Sequence, residues 1–246
     1  STTMEIQDVS AIAEAAHGRG ALVGCDNSWA TPLLFKPLAH GADLSIEAVT
    51  KYIGGHSDLL MGAITARDPA VLRPIQETVR FLGIGVSPDD CSLALRGIQT
   101  LAVRLRHSGQ VALEIASALA LRPEVERVLH PALPDCPGHA LWRRDFDGAS
   151  GVFTVVLKDD FAGSVRSALS AFQVFRIGAS WGGAHSLVAP MPVRASRTAT
   201  AWGGAEPVLR ISIGLESPDE LRLDLEGFFE ALSTSSSRHS RRTAAE

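Results

Sequence analysis

No apolar run in this 246-residue chain approaches the roughly 20 residues needed to cross a bilayer, which argues against a membrane protein. Cysteine is scarce: Cys25, Cys91 and Cys136 are an odd number, far apart, with no CxxC pair. They read as reduced thiols of a cytoplasmic protein, buried as small hydrophobes, rather than as a disulfide framework. The eight histidines are scattered and none has a metal-ligand spacing such as HExxH, so no metal is expected. A formal net charge of -4 offers no basic field for nucleic acid. Glycine is plentiful, but no Walker loop and no GxGxxG after a strand is formed; the Gly54–Gly55 pair is neither. Tyrosine occurs once, at Tyr52. The opening STTMEIQDV has no basic start and no long apolar stretch, so it is not a signal peptide. It also lacks an initiator methionine and runs at once into patterned sequence, which leads us to expect a fragment or a processed product.

What remains is an ordinary composition, 46% hydrophobic and 20% charged, in a chain long enough for one large or two ordinary domains. Helix formers run from Ser10 to His17, with Gly18 and Gly20 as the stop. ALVGCD reads as a strand ending at Asp26, NSWATP as a loop, and ADLSIEAV as a second strand followed at once by Thr50 and Lys51. GAITA is a third short strand, and strands and helices repeating at this spacing predict a parallel-rich α/β sheet. A helix is expected from Pro69 to Leu82 and a long one from Pro88 to Leu121, with Gly97 and Gly109 as points where it bends or divides. The basic residues Arg96, Arg104 and Arg106 of that helix read as a solvated or interface face. Beyond Pro123, strands at VERVLH, GVFTVVL, QVFRIG and VLRISIGL alternate with helical pieces in a smaller α+β domain. The expected division is residues 1–100, 101–232, and a disordered polar tail over 233–246.

In an open parallel sheet, ligands collect at the carboxyl ends of strands, where Asp26 and Lys51 both fall. A pyridine-based cofactor needs such a pair: a carboxylate to keep the ring nitrogen protonated and an amine to condense with an aldehyde. The Thr50 hydroxyl is placed to meet a phosphate oxygen. On spacing alone, an Asp–Asn turn and a solvent-exposed lysine are the more ordinary readings.

The segments DNSWATP, ADLSIEAVTKYIGGHSD and RGIQTLAVRLRHS resemble the pyridoxal-phosphate enzymes of cysteine and methionine metabolism. HPALPDCPGHALWRRDFDGASGVF, SWGGAHSL and LRISIGLESPDEL are similar to the bacterial cystathionine β-lyase branch of that family. The resemblance covers nearly the whole chain apart from the tail. It implies the C-terminal part of an aminotransferase-like (fold type I) enzyme, pyridoxal 5′-phosphate as cofactor, and a cytoplasmic homotetramer. By position, Lys51 would form the Schiff base, Asp26 would face the pyridine nitrogen and Thr50 would contact the phosphate. Ser180 and Trp181 would line the site, and Arg210 would bind the substrate α-carboxylate. Ala48 departs from relatives that carry a second phosphate-binding hydroxyl there, although the β-lyase branch often has alanine. A larger departure is the family's upstream region, with its cofactor-stacking tyrosine and phosphate loop, for which no counterpart is identified.

The implied activity is carbon–sulfur bond cleavage in a small sulfur amino acid: β-elimination of cystathionine to homocysteine, pyruvate and ammonia. Trp181 favours this over the γ-chemistry of a cystathionine γ-synthase or methionine γ-lyase, relatives that usually lack a tryptophan after the serine. A third reading is a truncated, non-catalytic remnant of the family.

Overall fold

The computed structural model of the chain describes residues 2–243. Among them, eight strands form two sheets with a long helix between them. Helix α1 (Val9–His17) starts at Asp8, whose carboxylate accepts from the Ala11 amide at 3.1 Å. Then come β1 (Gly24–Asp26), α2 (Thr31–Leu34), β2 (Leu44–Ala48), β3 (Gly62–Ala66) and α3 (Pro69–Phe81). Strand β1 runs parallel to β2, with Asp26 opposite Ile46, whereas β2 and β3 are antiparallel. This first sheet is therefore mixed, where the sequence pattern predicts parallel strands. The reason is local: the residues between β2 and β3 fold into a tight turn that returns at Met61, and no crossover helix is formed.

Helix α4 (Pro88–Leu119) begins with Ser87 as cap, accepting from the Asp90 amide at 3.0 Å, with Pro88 at its first position and two acids in its first turn. It is followed by β4 (Val125–Leu129), α5 (His139–Asp145), β5 (Val152–Leu157), α6 (Val165–Ala168), β6 (Arg176–Ile177), β7 (Leu187–Met191), β8 (Val208–Ser212) and α7 (Pro218–Thr243). The second sheet has the order β4-β5-β8-β7-β6 and is antiparallel except for the β6–β7 pair. No helix among the described residues is long and apolar enough to cross a membrane. The division expected near residue 100 falls inside α4.

Every residue of β5 and β8 is buried, so the two-residue period of a strand sorts their side chains between two interiors. Phe153, Val155 and Leu157, with Leu209 and Ile211, pack against Phe228, Phe229 and Leu232 of α7. Val152, Val156 and Val208 face the other way, toward Tyr52, Leu101 and Leu105. Burying each such apolar side chain contributes about 1.5–3 kcal/mol. The same alternation places Arg210 on the side of Val208, toward Tyr52 and Trp181. Helix α4 serves both interiors, with Leu101 and Leu105 in one and Val111, Ala112, Ile115 and Leu119 in the other. Helix α7 continues through Thr243, where polar composition predicts a disordered tail. Its buried first turns nucleate the helix, and the Ser236 hydroxyl adds a bond to the Asp160 carbonyl at 3.1 Å. Residues 244–246 of that expected tail lie outside the described residues.

The glycines Gly97 and Gly109 do not divide α4, which is continuous. They permit close approach: a Cβ on Gly97 would lie 2.4 Å from the carbonyl oxygens of Ile53 and Gly54, and one on Gly109 would lie 2.2 Å from that of Ala149. Alanine at 97 gains about 1 kcal/mol of helix propensity but forces an overlap costing about 1–3 kcal/mol, so G97A should destabilise. Gly227 in α7 has open space around it, so G227A should be neutral or stabilising. Urea unfolding should show a lower midpoint for G97A only, with the slope unchanged.

Candidate active site

The turn that carries Lys51 is built from backbone bonds at the end of β2. Lys51 N donates to Ala48 O at 2.9 Å, Gly54 N to Val49 O at 2.7 Å, and Gly55 N to Lys51 O at 2.8 Å. On one side of the lysine, the Thr50 hydroxyl accepts from Met61 N at 2.9 Å and donates to Met61 O at 3.1 Å, tying the turn to the start of β3. On the other side, the buried Tyr52 hydroxyl accepts from Gly151 N at 2.9 Å, tying it to the start of β5. Burial pushes the Tyr52 phenol up to about 12, which makes it a structural strut rather than a proton-transfer group near neutrality.

Arg104 completes the turn from below. It is buried, not solvated as its place on a long helix predicts. Its guanidinium donates to Tyr52 O at 2.8 Å, Ile53 O at 3.3 Å, Gly97 O at 2.7 Å and Thr100 Oγ1 at 3.0 Å. The reason for the correction lies in register: Gly97, Leu101, Arg104, Leu105 and Ser108 share one buried helix face. That spacing was the available signal.

Over the turn lies the segment 179–183. The Lys51 Nζ donates to Ser180 Oγ at 2.9 Å and stands 5.2 Å from the centre of the Trp181 ring, which in turn packs tilted against Tyr52 at 5.6 Å. Gly182 makes this approach possible. Its φ is +84°, and a Cβ there would meet the Lys51 Cβ at 3.2 Å. Arg210 is buried in the middle of β8, opposite Thr154 and Ala189, and donates to the carbonyl of Ala179. No carboxylate lies within ion-pair distance of it among the described residues. Burial lowers the proton affinity of the Lys51 amine, and the positive charge of Arg210 lowers it further.

Asp26 closes β1, one strand over from the lysine turn. One of its oxygens accepts from Ser28 N at 3.0 Å, the side chain is exposed, and it forms no ion pair among the described residues. Ser28 Oγ accepts from Ala48 N at 2.7 Å, which locks the ends of β1 and β2 together. Asp26 borders a cavity of about 100 Å³ with Met4, Cys25, Trp29 and Phe35, which Lys51 does not reach. The structure therefore brings Lys51, Ser180, Trp181 and Arg210 together, and sets Asp26 and Thr50 on the same sheet end, their side chains bonded to Ser28 and Met61 rather than to the lysine amine. The three cysteines are free, and no cluster of three metal-ligating side chains occurs among the described residues.

These residues fit a pyridoxal-phosphate site. An amine of lowered basicity, a carboxylate without a cation and a buried cation without an anion are the complement of an aldehyde, a protonated ring nitrogen and a substrate carboxylate. The arrangement is that of an α/β chain whose candidate site centres on a lysine. Residues 1–230 match the family described as Cys/Met metabolism PLP-dependent enzyme, and the chain belongs to that family. It is 42% identical to the cystathionine beta-lyase of Bordetella avium, over 92% of this chain and 57% of that protein. It is also 42% identical to the L-alanine/L-glutamate racemase of Wolbachia pipientis wMel, over 92% of this chain and 56% of that protein. The solved cystathionine gamma synthase of Xanthomonas oryzae pv. oryzae in complex with cystathionine superposes with a TM-score of 0.88 at 36% identity, covering 96% of this chain and 62% of that one. The chain thus spans less than two thirds of the length of these relatives.

The electrostatics predict a shifted labelling midpoint. In reductive methylation with formaldehyde, Lys51 should react with a pH midpoint below the ordinary lysine value, because burial and Arg210 both disfavour its ammonium form. Removing one of those two influences in R210Q should move the midpoint upward. Peptide mapping across pH measures both; an unmoved midpoint in R210Q contradicts the coupling.

Proposed function

We propose that the protein carrying this chain is a cytoplasmic carbon–sulfur lyase that uses pyridoxal phosphate for β-elimination of cystathionine, giving homocysteine, pyruvate and ammonia. The observation that carries this reading is the buried Arg210, without a counter-ion, beside a lysine whose amine is depressed in basicity. When bound, the cofactor supplies an electron sink for negative charge developing at the substrate α-carbon.

Each residue then has one task. Arg210 receives the α-carboxylate on its planar fork, replacing a missing internal anion with the substrate's own. Lys51 would hold the cofactor through its amine and would serve as the base for the α-proton; its lowered basicity keeps a larger fraction neutral and able to do so. Ser180 fixes the direction of the amine, and Trp181 forms the wall against which it moves. Asp26 would keep a proton on the ring nitrogen. Thr50 would contact the phosphate; its hydroxyl's bond to Met61 O is expendable because that carbonyl also accepts from the Thr50 amide at 3.1 Å.

A homotetramer is part of the same reading. It is supported by large apolar side chains left exposed along α4, with Leu95, Ile98 and Val103 at 64%, 50% and 69% exposure.

With cystathionine as substrate, pyruvate should be the keto-acid product; 2-oxobutyrate would show γ-cleavage instead. Interconversion of alanine enantiomers without keto acid would match the racemase relative. K51A should lose the yellow colour of the loaded protein and about 10²–10⁴-fold of turnover, as expected for removal of a general base. R210L should lose about 10–100-fold in kcat/KM, the worth of a charge-assisted hydrogen bond to the carboxylate. A colourless wild-type protein in the presence of cofactor would point to the non-catalytic remnant.

A further inference from the structure

Beneath the Asp26 turn lies an acid that the proposed reaction does not use. Glu47, in β2, is 5% exposed. Its Oε1 accepts from Asn27 Nδ2 at 3.1 Å and from Ser45 Oγ at 3.2 Å, and both donors are themselves buried. Its Oε2 is buried with no hydrogen-bond partner, and no cation pairs with it among the described residues. A buried carboxylate left with an unsolvated oxygen and no cation is strongly disfavoured, whereas a proton on Oε2 removes the charge. Burial pushes the Glu47 carboxyl up, and the negative charge of Asp26 adds to this against the pull of Asn27 and Ser45. Asp26 on β1 is the titratable group that acts on it, the neighbouring Cys25 thiol is itself pushed up by burial and by the charges of Asp26 and Glu47, and Ala63, the partner of Glu47 on β3, carries no charge.

Asn27 is the link between this acid and the site. Its second amide hydrogen goes to Phe35 O at 3.0 Å, its backbone N–H donates to Ile46 O at 2.8 Å, and its carbonyl accepts from Thr31 N at 2.8 Å. The backbone N–H, the backbone carbonyl and the side-chain amide nitrogen of the residue that follows Asp26 are thus all engaged, the last of them partly by Glu47. We infer that Glu47 is a positioning residue that works as a neutral acid: it anchors Asn27, and so holds Asp26 toward the cofactor's ring nitrogen while leaving Asp26 the one negative charge there. This rests on the cofactor reading of the site.

The test strips the protein of cofactor and titrates it with pyridoxal phosphate, for the wild type, E47Q and E47A. Binding is followed by absorbance from neutral to alkaline pH, and thermal unfolding is measured without cofactor. E47Q carries no charge either, so it should bind within about twofold of wild type and keep the pH midpoint of the bound cofactor's absorption. E47A loses the bond to Asn27 and should bind about tenfold more weakly. If E47Q weakens binding as much as E47A, or shifts the pH midpoint, Glu47 acts as a charge and the inference falls. Unchanged binding by E47A overturns it as well. Should E47A fail to fold, the midpoint in E47Q decides alone. A wild-type protein that takes up no cofactor overturns the site reading itself, an outcome distinct from any difference between the variants.

Discussion

The arginine fork beneath the lysine turn is the constraint on which the rest of the site depends. Arg104 is a buried cation with no carboxylate partner among the described residues, stabilised by three carbonyls and one hydroxyl. Burying a guanidinium is tolerable only when nearly all its donors are matched, and here the matching acceptors are the backbone of the turn itself. The turn is therefore fixed to α4, and α4 to both hydrophobic interiors through Leu101, Leu105, Val111 and Ile115. A shift of the helix by a fraction of an ångström would be transmitted to Lys51, because Gly97 leaves no slack against Ile53 and Gly54.

Around that fixed turn the charges are arranged to be incomplete. Surface pairs such as Arg197 with Glu5 and Arg144 with Asp8 are satisfied within the chain. Among the described residues, Arg210, Lys51 and Asp26 have no ion-pair partner. Leaving them so opposes folding: a lysine whose proton affinity is lowered in the folded state binds fewer protons there than when unfolded. Its unfavourable contribution is present below the folded value and is relieved as pH rises toward the ordinary lysine range. Such uncompensated groups persist where a ligand completes them, which is why their clustering is a stronger functional signal than any one of them.

Much of the fold was legible in the sequence, because strongly periodic segments bury one face. GAITA is β3 to the residue, the Pro88 signal opens α4, and the buried runs around Val152 and Val208 are β5 and β8. Strand β7 was not legible. It contains Pro190, which argues against a strand, yet it pairs with β8 on one side and β6 on the other. The site was half legible. Lys51, Ser180, Trp181 and Arg210 do converge, but spacing alone left them ordinary, and only the resemblance drew them together. Arg104 was misread because a charged residue on a long helix is usually solvated, and its role needs the turn it caps, 52 residues away in the chain, to be in place. The antiparallel return of β3 was hidden for a similar reason: it depends on the Thr50 hydroxyl bonding Met61, a contact that no periodicity encodes.

The position of Trp181 bears on which elimination the proposed site favours. Its ring packs against the immobile Tyr52, and the lysine amine lies over its face while bonded to Ser180. The amine thus has a wall on one side and a tether at its tip. Loss of a group from the β-carbon requires one proton to leave the α-carbon, a single short transfer from a base held in one direction. Loss from the γ-carbon requires a β-proton to move as well, and so a base with a longer reach. A lysine confined between Ser180 and Trp181 suits the first task. The confinement originates in Gly182, since only a residue without a side chain lets segment 179–183 lie so close to Lys51. On the proposed reading, the choice of reaction rests on backbone geometry two residues beyond the serine that holds the base.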